Sequence, residues 1–385
     1  MKKFFFFAAA VVSMVACQKE AQLSSNDVTA PIEEGAPVAV EFNSNVKASV
    51  ATKAQGSVDA WNATQDLYVY GFQRAAQVDY ANPFINNVKA VSPAEGTEGK
   101  LELLNTEGNP FYYAGNNTYD FYGYYVDDAK YAEIQTSEAG VCLTNLTITG
   151  GQDVMLAKAD QAADYNAAVE NGVFTGDVNN WKIYYAYSAY AARRHVHPTL
   201  KFEHQLVQFK FEIESGSENA VEEELKVVGL ELDANTTADL YVAGSELGLK
   251  NVRTPAPVQL FGFDTEAGYA VPNMPAEAAQ IGGCLMVIPN VAVEGENDQF
   301  KGRLYLTQKG ASNAAPVDFT LEFNKENVDF TNVPEDLTSF AAGYSFTVKV
   351  TVYSLERVEA TAVLTPWENG GNLDINTDEA PVPVE

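Results

Sequence analysis

The side chains of this 385-residue chain that could do chemistry are few and unevenly placed. His195 and His197 would put two imidazoles on one side of an extended segment, where Glu203 or a distant carboxylate could complete a zinc set. No third ligand follows at a useful spacing and Pro198 comes next, so the preferred reading is a loop. His204 shares the parity of Leu200, Phe202 and Leu206 and is expected as a hydrogen-bonded core residue rather than a general base. Glu294, Glu296 and Asp298 carry the oxygen ligands calcium takes, but their spacing matches no calcium loop and reads as a solvated turn. Phe111, Tyr112, Tyr113, Tyr119, Phe121, Tyr122, Tyr124 and Tyr125 could stack on sugars. Strand parity offers the preferred alternative, in which one face fills a core and the other lines the surface with tyrosines. The nucleophile elbow, the phosphate-binding glycine loop and the His-Glu-x-x-His helix do not occur. The expectation is a protein that is not an enzyme and uses no cofactor and no metal.

Lys2 and Lys3, the apolar run from Phe4 to Val12 and the small residues up to Cys17 have the layout of a secretory leader, too short for a permanent transmembrane helix. Met14-Val15-Ala16-Cys17 resembles a lipobox, which makes residues 1–16 a signal peptide and Cys17 the lipidated first residue of the mature chain. Residues 17–36 are polar and read as a tether without a core. Cys142 and Cys284 sit among apolar neighbours and read as buried thiols, while a disulfide between them stays open because spacing cannot decide it.

The elements that must position these groups are strands almost throughout, because apolar residues alternate between clusters of Gly, Asn, Asp and Pro. Val38, Val40 and Phe42 form a short first run, and Leu67 to Phe72 a second. Tyr119, Phe121, Gly123 and Tyr125 share a parity, as do Val228, Leu230 and Leu232, and Val317, Phe319, Leu321 and Phe323. At Leu206 the pattern shifts by one residue to Val207, Phe209, Phe211 and Ile213, which predicts a bulge or a corner where the strand changes sheet. A hairpin is predicted from Tyr344–Val352 and Val358–Leu364. Residues 155–169 are the best helix candidate. The reading is all-β, with antiparallel sandwiches in two domains, residues 37–196 and 197–367, followed by an acidic extension over 368–385. A formal charge of −28, or −30 once Lys2 and Lys3 leave with the leader, argues against nucleic acid as a partner.

Several segments in order along most of the chain resemble the fimbrillin family, the lipoprotein pilin precursors of bacterial type V pili. They are the lipobox, the run Val38–Phe42, Thr52-Lys53-Ala54, the aromatic stretch Asn117–Tyr125, Asp153-Val154-Met155-Leu156-Ala157, Leu200–Leu206, Leu285-Met286-Val287-Ile288-Pro289, and the hairpin from Gly343 that closes at Pro366-Trp367. The resemblance implies two tandem transthyretin-like Greek-key β-sandwich domains, carried by lipoprotein export machinery to the outer membrane and the cell surface and assembled into a fimbrium. It also implies that a trypsin-like protease removes the lipidated segment together with the first strand. A strand from a neighbouring subunit's C-terminal region then fills the groove by donor-strand exchange. Losing a strand leaves apolar side chains and unpaired amides that a strand from another chain can satisfy.

On this sequence the matching cut follows Lys53 and precedes Ala54, detaching Val38, Val40 and Phe42. Relatives usually have Arg there; the first Arg here is Arg74, where a cut would remove the Leu67–Phe72 strand as well. After Trp367 the tail offers Leu373 and Ile375, then Val382 and Val384 beyond Pro381, a weaker strand than Tyr344–Val352. Shaft, tip and anchor subunits all stay open on that basis. The alternative function is a membrane-anchored β-sandwich lipoprotein that binds glycans through its tyrosines.

Overall fold

The computed structural model describes residues 37–42, 66–74, 78–90, 103–115, 117–180, 186–217, 224–272, 278–291, 297–311, 313–324, 327–329 and 333–365. In the first half the strands are β1 Leu67–Arg74, β2 Ile85–Ala90, β3 Thr118–Tyr125, β4 Glu133–Ser137, β5 Gly140–Thr147, β6 Met155–Lys158 and β7 Glu203–His204. The second half adds β8 Val207–Ser215, β9 Lys226–Gly244, β10 Gly248–Gln259, β11 Tyr269–Ala270, β12 Ala279–Val287, β13 Gln299–Thr307, β14 Ala315–Glu322, β15 Val328–Asp329, β16 Ser345–Ser354 and β17 Arg357–Thr365. Two short helices, α1 Gln161–Glu170 and α2 Ala189–Ala192, complete the described elements apart from a single 3-10 turn.

Three sheets carry the fold, ordered β2-β1-β3-β6-β7, β14-β13-β9-β5-β4 and β12-β8-β16-β17-β15. The 19-residue β9 joins the halves of the chain. Its first part pairs with β13 and its last part with β5 along one edge, while β10 lies along the other. One core is therefore closed between the β8-β16 sheet and the β9-β13-β14 part of the middle sheet, around Phe209, Phe300, Phe340 and Phe346. A second lies between the β1-β3 sheet and the β5-β9 part, around Phe72, Tyr122, Leu143 and Leu240. The third covers the opposite face of β1 and β3, where Leu67, Val69, Tyr119 and Phe121 meet Val40, Phe42, Leu200 and Phe202.

β1 and β3 are thus buried on both faces, which explains the dense aromatic content of β3. Gly123 is required in the middle of β3, since a Cβ there would lie 2.8 Å from the Phe202 ring. The parity shift at Leu206 is the corner expected from the sequence. Leu206 fills the second core, Val207 fills the first, and the chain leaves β7 of one sheet to enter β8 of another. The C-terminal hairpin forms as read, with Phe346, Val348, Val350 and Val352 fully buried on β16. β16 lies parallel to β8, so the sandwich is not wholly antiparallel.

Two local expectations are corrected. The stretch 155–169 is not one helix: Met155–Lys158 pairs with Tyr122–Tyr125, and the helix starts after Asp160, whose carboxylate accepts from the Ala162 and Ala163 N–H groups. Met155, Leu156 and Ala157 are all buried between two cores, and that burial outweighs helix propensity. On β9, Val227 rather than Val228 is buried with Leu230, because the pairing with β13 slips one residue opposite Tyr305 and Leu306.

Candidate functional site

The short segment from Val38 to Phe42 crosses the third core. It meets the chain at Phe111–Tyr113 through an antiparallel bridge centred on Ala39 and Tyr112. The Val40 N–H donates to the Phe111 carbonyl at 2.8 Å, and the Tyr113 N–H donates to the Val38 carbonyl at 3.0 Å. Alternation turns Val40 and Phe42 inward, both buried, with Val38 half-buried beside them. Phe42 packs edge-on against Phe121. Burying side chains of this size stabilises by about 1.5–3 kcal/mol each. The segment is a structural member of the core joined to its neighbour by a two-bond bridge.

The core beneath this segment is aromatic and partly polar. Phe84 sits 4.7 Å from Tyr119 and 5.9 Å from Phe111, and Tyr113 lies 5.7 Å from Tyr119. Among the described residues the buried Tyr113 hydroxyl has no hydrogen-bond partner, and burial holds its pKa far above the usual phenol range. Behind Phe121, Tyr187 donates its hydroxyl to Asp164, which also accepts from the Thr199 N–H at 2.8 Å. Burial raises the Asp164 carboxyl above its ordinary value, against those two hydrogen bonds.

The other sequence candidates resolve into structural roles. Tyr122 and Tyr124 do not face solvent. They are 3% and 0% exposed, and the Tyr124 hydroxyl donates to Asn87 at 2.7 Å. The expected surface row of tyrosines is therefore replaced by a second buried face, because the β5-β9 part of the middle sheet covers it. Tyr112 is the exposed member of the aromatic group, at 46%. His204 is fully buried, its Nδ1 3.0 Å from Asp153 Oδ1, in the core position expected. His195 and His197 have ring centroids 6.4 Å apart in the turn after α2, with His195 at φ +64°. Asp298 accepts from Asn290 at 2.9 Å and from the Phe340 N–H at 2.8 Å, so it fastens a loop. Glu294 and Glu296 lie outside the described residues, as do Cys17, Lys53 and Ala54. Cys142 and Cys284 are buried and not bridged to each other, and burial pushes the Cys142 thiol up to about 11. Among the described residues no cluster of His, Cys, Asp and Glu could hold a metal ion, and no helix is long and apolar enough to cross a membrane.

Phe111–Tyr113 as the receiving edge escaped sequence reasoning. Pro110 and Gly115 interrupt any alternation around it, and nothing local points to Val38 as its partner.

A chain built mainly of strands, in stacked sheets whose third core is completed by a short N-terminal segment, defines a β-sandwich class of protein. The family model described as fimbrillin-like matches residues 52–367, and the chain belongs to that family. Among solved structures it is similar to a candidate cell adhesion protein from Bacteroides uniformis, at 16% identity and TM-score 0.47, over 87% of this chain and 99% of that one. It is also similar to the fimbrial anchor protein Mfa2 from Porphyromonas gingivalis, at 12% identity and TM-score 0.30, over 86% of this chain and 95% of the other. A search of curated proteins finds no match.

Proposed function

We propose that this chain is a structural subunit of a type V surface pilus that contributes to adhesion through assembly. It is exported as a lipoprotein anchored by Cys17 to the outer membrane, and cut after Lys53 by a trypsin-like protease. The divisions 17–36, 37–196, 197–367 and 368–385 are tether, two sandwich units and extension, with β9 shared across the two units.

The observation that carries this reading is the Val38–Phe42 segment. It supplies buried side chains to a core made otherwise, among the described residues, by residues beyond 66, and it lies on the N-terminal side of Lys53. A cut after Lys53 severs its covalent link to that core. The core then presents an apolar groove and the unpaired Phe111 carbonyl and Tyr113 N–H, which a strand from another subunit can satisfy.

The test is limited trypsin treatment of the purified precursor, followed by electron microscopy and N-terminal sequencing of the product. Filaments or higher oligomers whose chains begin at Ala54 are expected. Assembled surface material that begins at Cys17, or a cut product that stays monomeric, would overturn the reading.

A further inference from the structure

A cleft of about 420 Å³ opens where β6 passes the start of α1 and the turn between β9 and β10. Leu156 and Lys158 line it from β6, Lys201 and Glu203 from the segment that enters β7, and Leu247 from the turn. β6 and β7 are antiparallel, with Leu156 opposite Glu203. Continued by two positions, that register sets Lys158 across from Lys201. Like charges facing each other across strands oppose folding. Acids are plentiful in this chain, 52 against 24 lysines and arginines, yet neither lysine forms an ion pair with a described residue. Lys158 lies over the Tyr122 ring, 5.6 Å from its centroid, which holds the ammonium without cancelling its charge. Asp160, also on the cleft, is committed to the Ala162 and Ala163 N–H groups.

These surroundings define a ligand. The volume falls within the range of small-molecule sites, about 300–1,000 Å³. The two ammoniums suit one anionic group, bound through charge-assisted hydrogen bonds. Glu203 and Asp160 repel a second anionic group, and an ionised carboxylate can only accept, so Glu203 suits hydroxyl donors. Leu156 and Leu247 offer apolar surface to the C–H bonds of a ring. A polyphosphate or a nucleic acid strand does not fit that charge pattern. We infer that the cleft binds a carboxylate-bearing sugar, with Lys158 and Lys201 holding the carboxylate and Glu203 accepting from ring hydroxyls. The site shares no lining residue with the Val38–Phe42 bridge and does not depend on the cut.

The test is calorimetric titration of the purified precursor with glucuronate, alongside glucose, acetate and inorganic phosphate. Glucuronate should bind with a Kd of about 1 mM or tighter. The other three should bind more weakly by about ten-fold or more, since each lacks either the carboxylate or the hydroxyls. Lys158→Gln and Lys201→Gln should each weaken glucuronate by about ten-fold, the loss of one charged hydrogen bond. Glu203→Gln should weaken glucuronate and strengthen phosphate. Without ligand, both lysine variants should melt no lower than the native chain, because each relieves the facing charges. A lower melting temperature would assign the lysines to holding the fold and overturn their role in binding. No glucuronate binding, or equal binding by native and lysine variants, overturns the site. Acetate, phosphate or glucose binding as tightly as glucuronate overturns the acidic sugar as its ligand.

Discussion

The rings of Phe42 and Phe121 meet edge to face, with centroids 5.2 Å apart and planes at 82°. Phe121 belongs to the central strand β3, whereas Phe42 belongs to a segment that precedes the proposed cut. This contact is a main apolar tie between the N-terminal segment and the core it completes.

Replacing Phe42 with Ala should cost the uncut chain about 3–5 kcal/mol, the usual cost of truncating a buried Phe. The same substitution should leave the trypsin-cut and released product unchanged, since the residue has departed. Urea unfolding of cut and uncut protein checks both halves. An equal loss in the two would mean that the segment does not leave.

The Tyr113 hydroxyl is buried beneath the same segment and has no hydrogen-bond partner among the described residues. Leaving such a group unpaired costs about 1–3 kcal/mol. Tyr113→Phe should therefore raise the stability of the uncut chain by up to about that amount, measured by denaturant midpoint. A destabilised variant would show that the hydroxyl has a partner after all.

Tyr124 tests the rejected surface platform. Removing its hydroxyl in Tyr124→Phe breaks the 2.7 Å bond to Asn87 and should cost about 1 kcal/mol. Tyr124→Ala should cost about 3 kcal/mol or more, because the ring is fully buried. Thermal melts of both variants distinguish a core tyrosine from an exposed one, which would tolerate either change.

Burial raises the Asp164 carboxyl although Tyr187 and Thr199 both bond to it. A raised value in the folded state means that folding favours the protonated form. The stabilising contribution is complete below the ordinary carboxylate value near 4 and is lost as pH rises through the folded value. Asp164→Asn keeps an acceptor for Thr199 and stays neutral. Melting temperatures taken from pH 3.5 to 7 should show native protein losing ground to Asp164→Asn as pH rises. The opposite slope would mean that the hydrogen bonds outweigh desolvation.

By itself the sequence determined the strand content, the C-terminal hairpin, the corner at Leu206 and the core position of His204. Each of these is a local pattern: alternation with period two, its interruption, or one polar residue on an apolar parity. The family was legible too, since its segments keep their order along the chain.

Tertiary structure decided which faces are covered. Tyr122 and Tyr124 alternate with Phe121 and Tyr125 whether the second face is wet or dry, and only the arrival of β5 and β9 makes it dry. Met155–Lys158 became a strand because β3 stood ready to pair with it, a partner about 30 residues away that no local propensity encodes. The same holds for the groove, where Val38–Phe42 has apolar alternation on its own but its receiving edge at Phe111–Tyr113 has none. Pairing across about 70 residues is set by backbone hydrogen bonds and burial that exist only once the chain has folded.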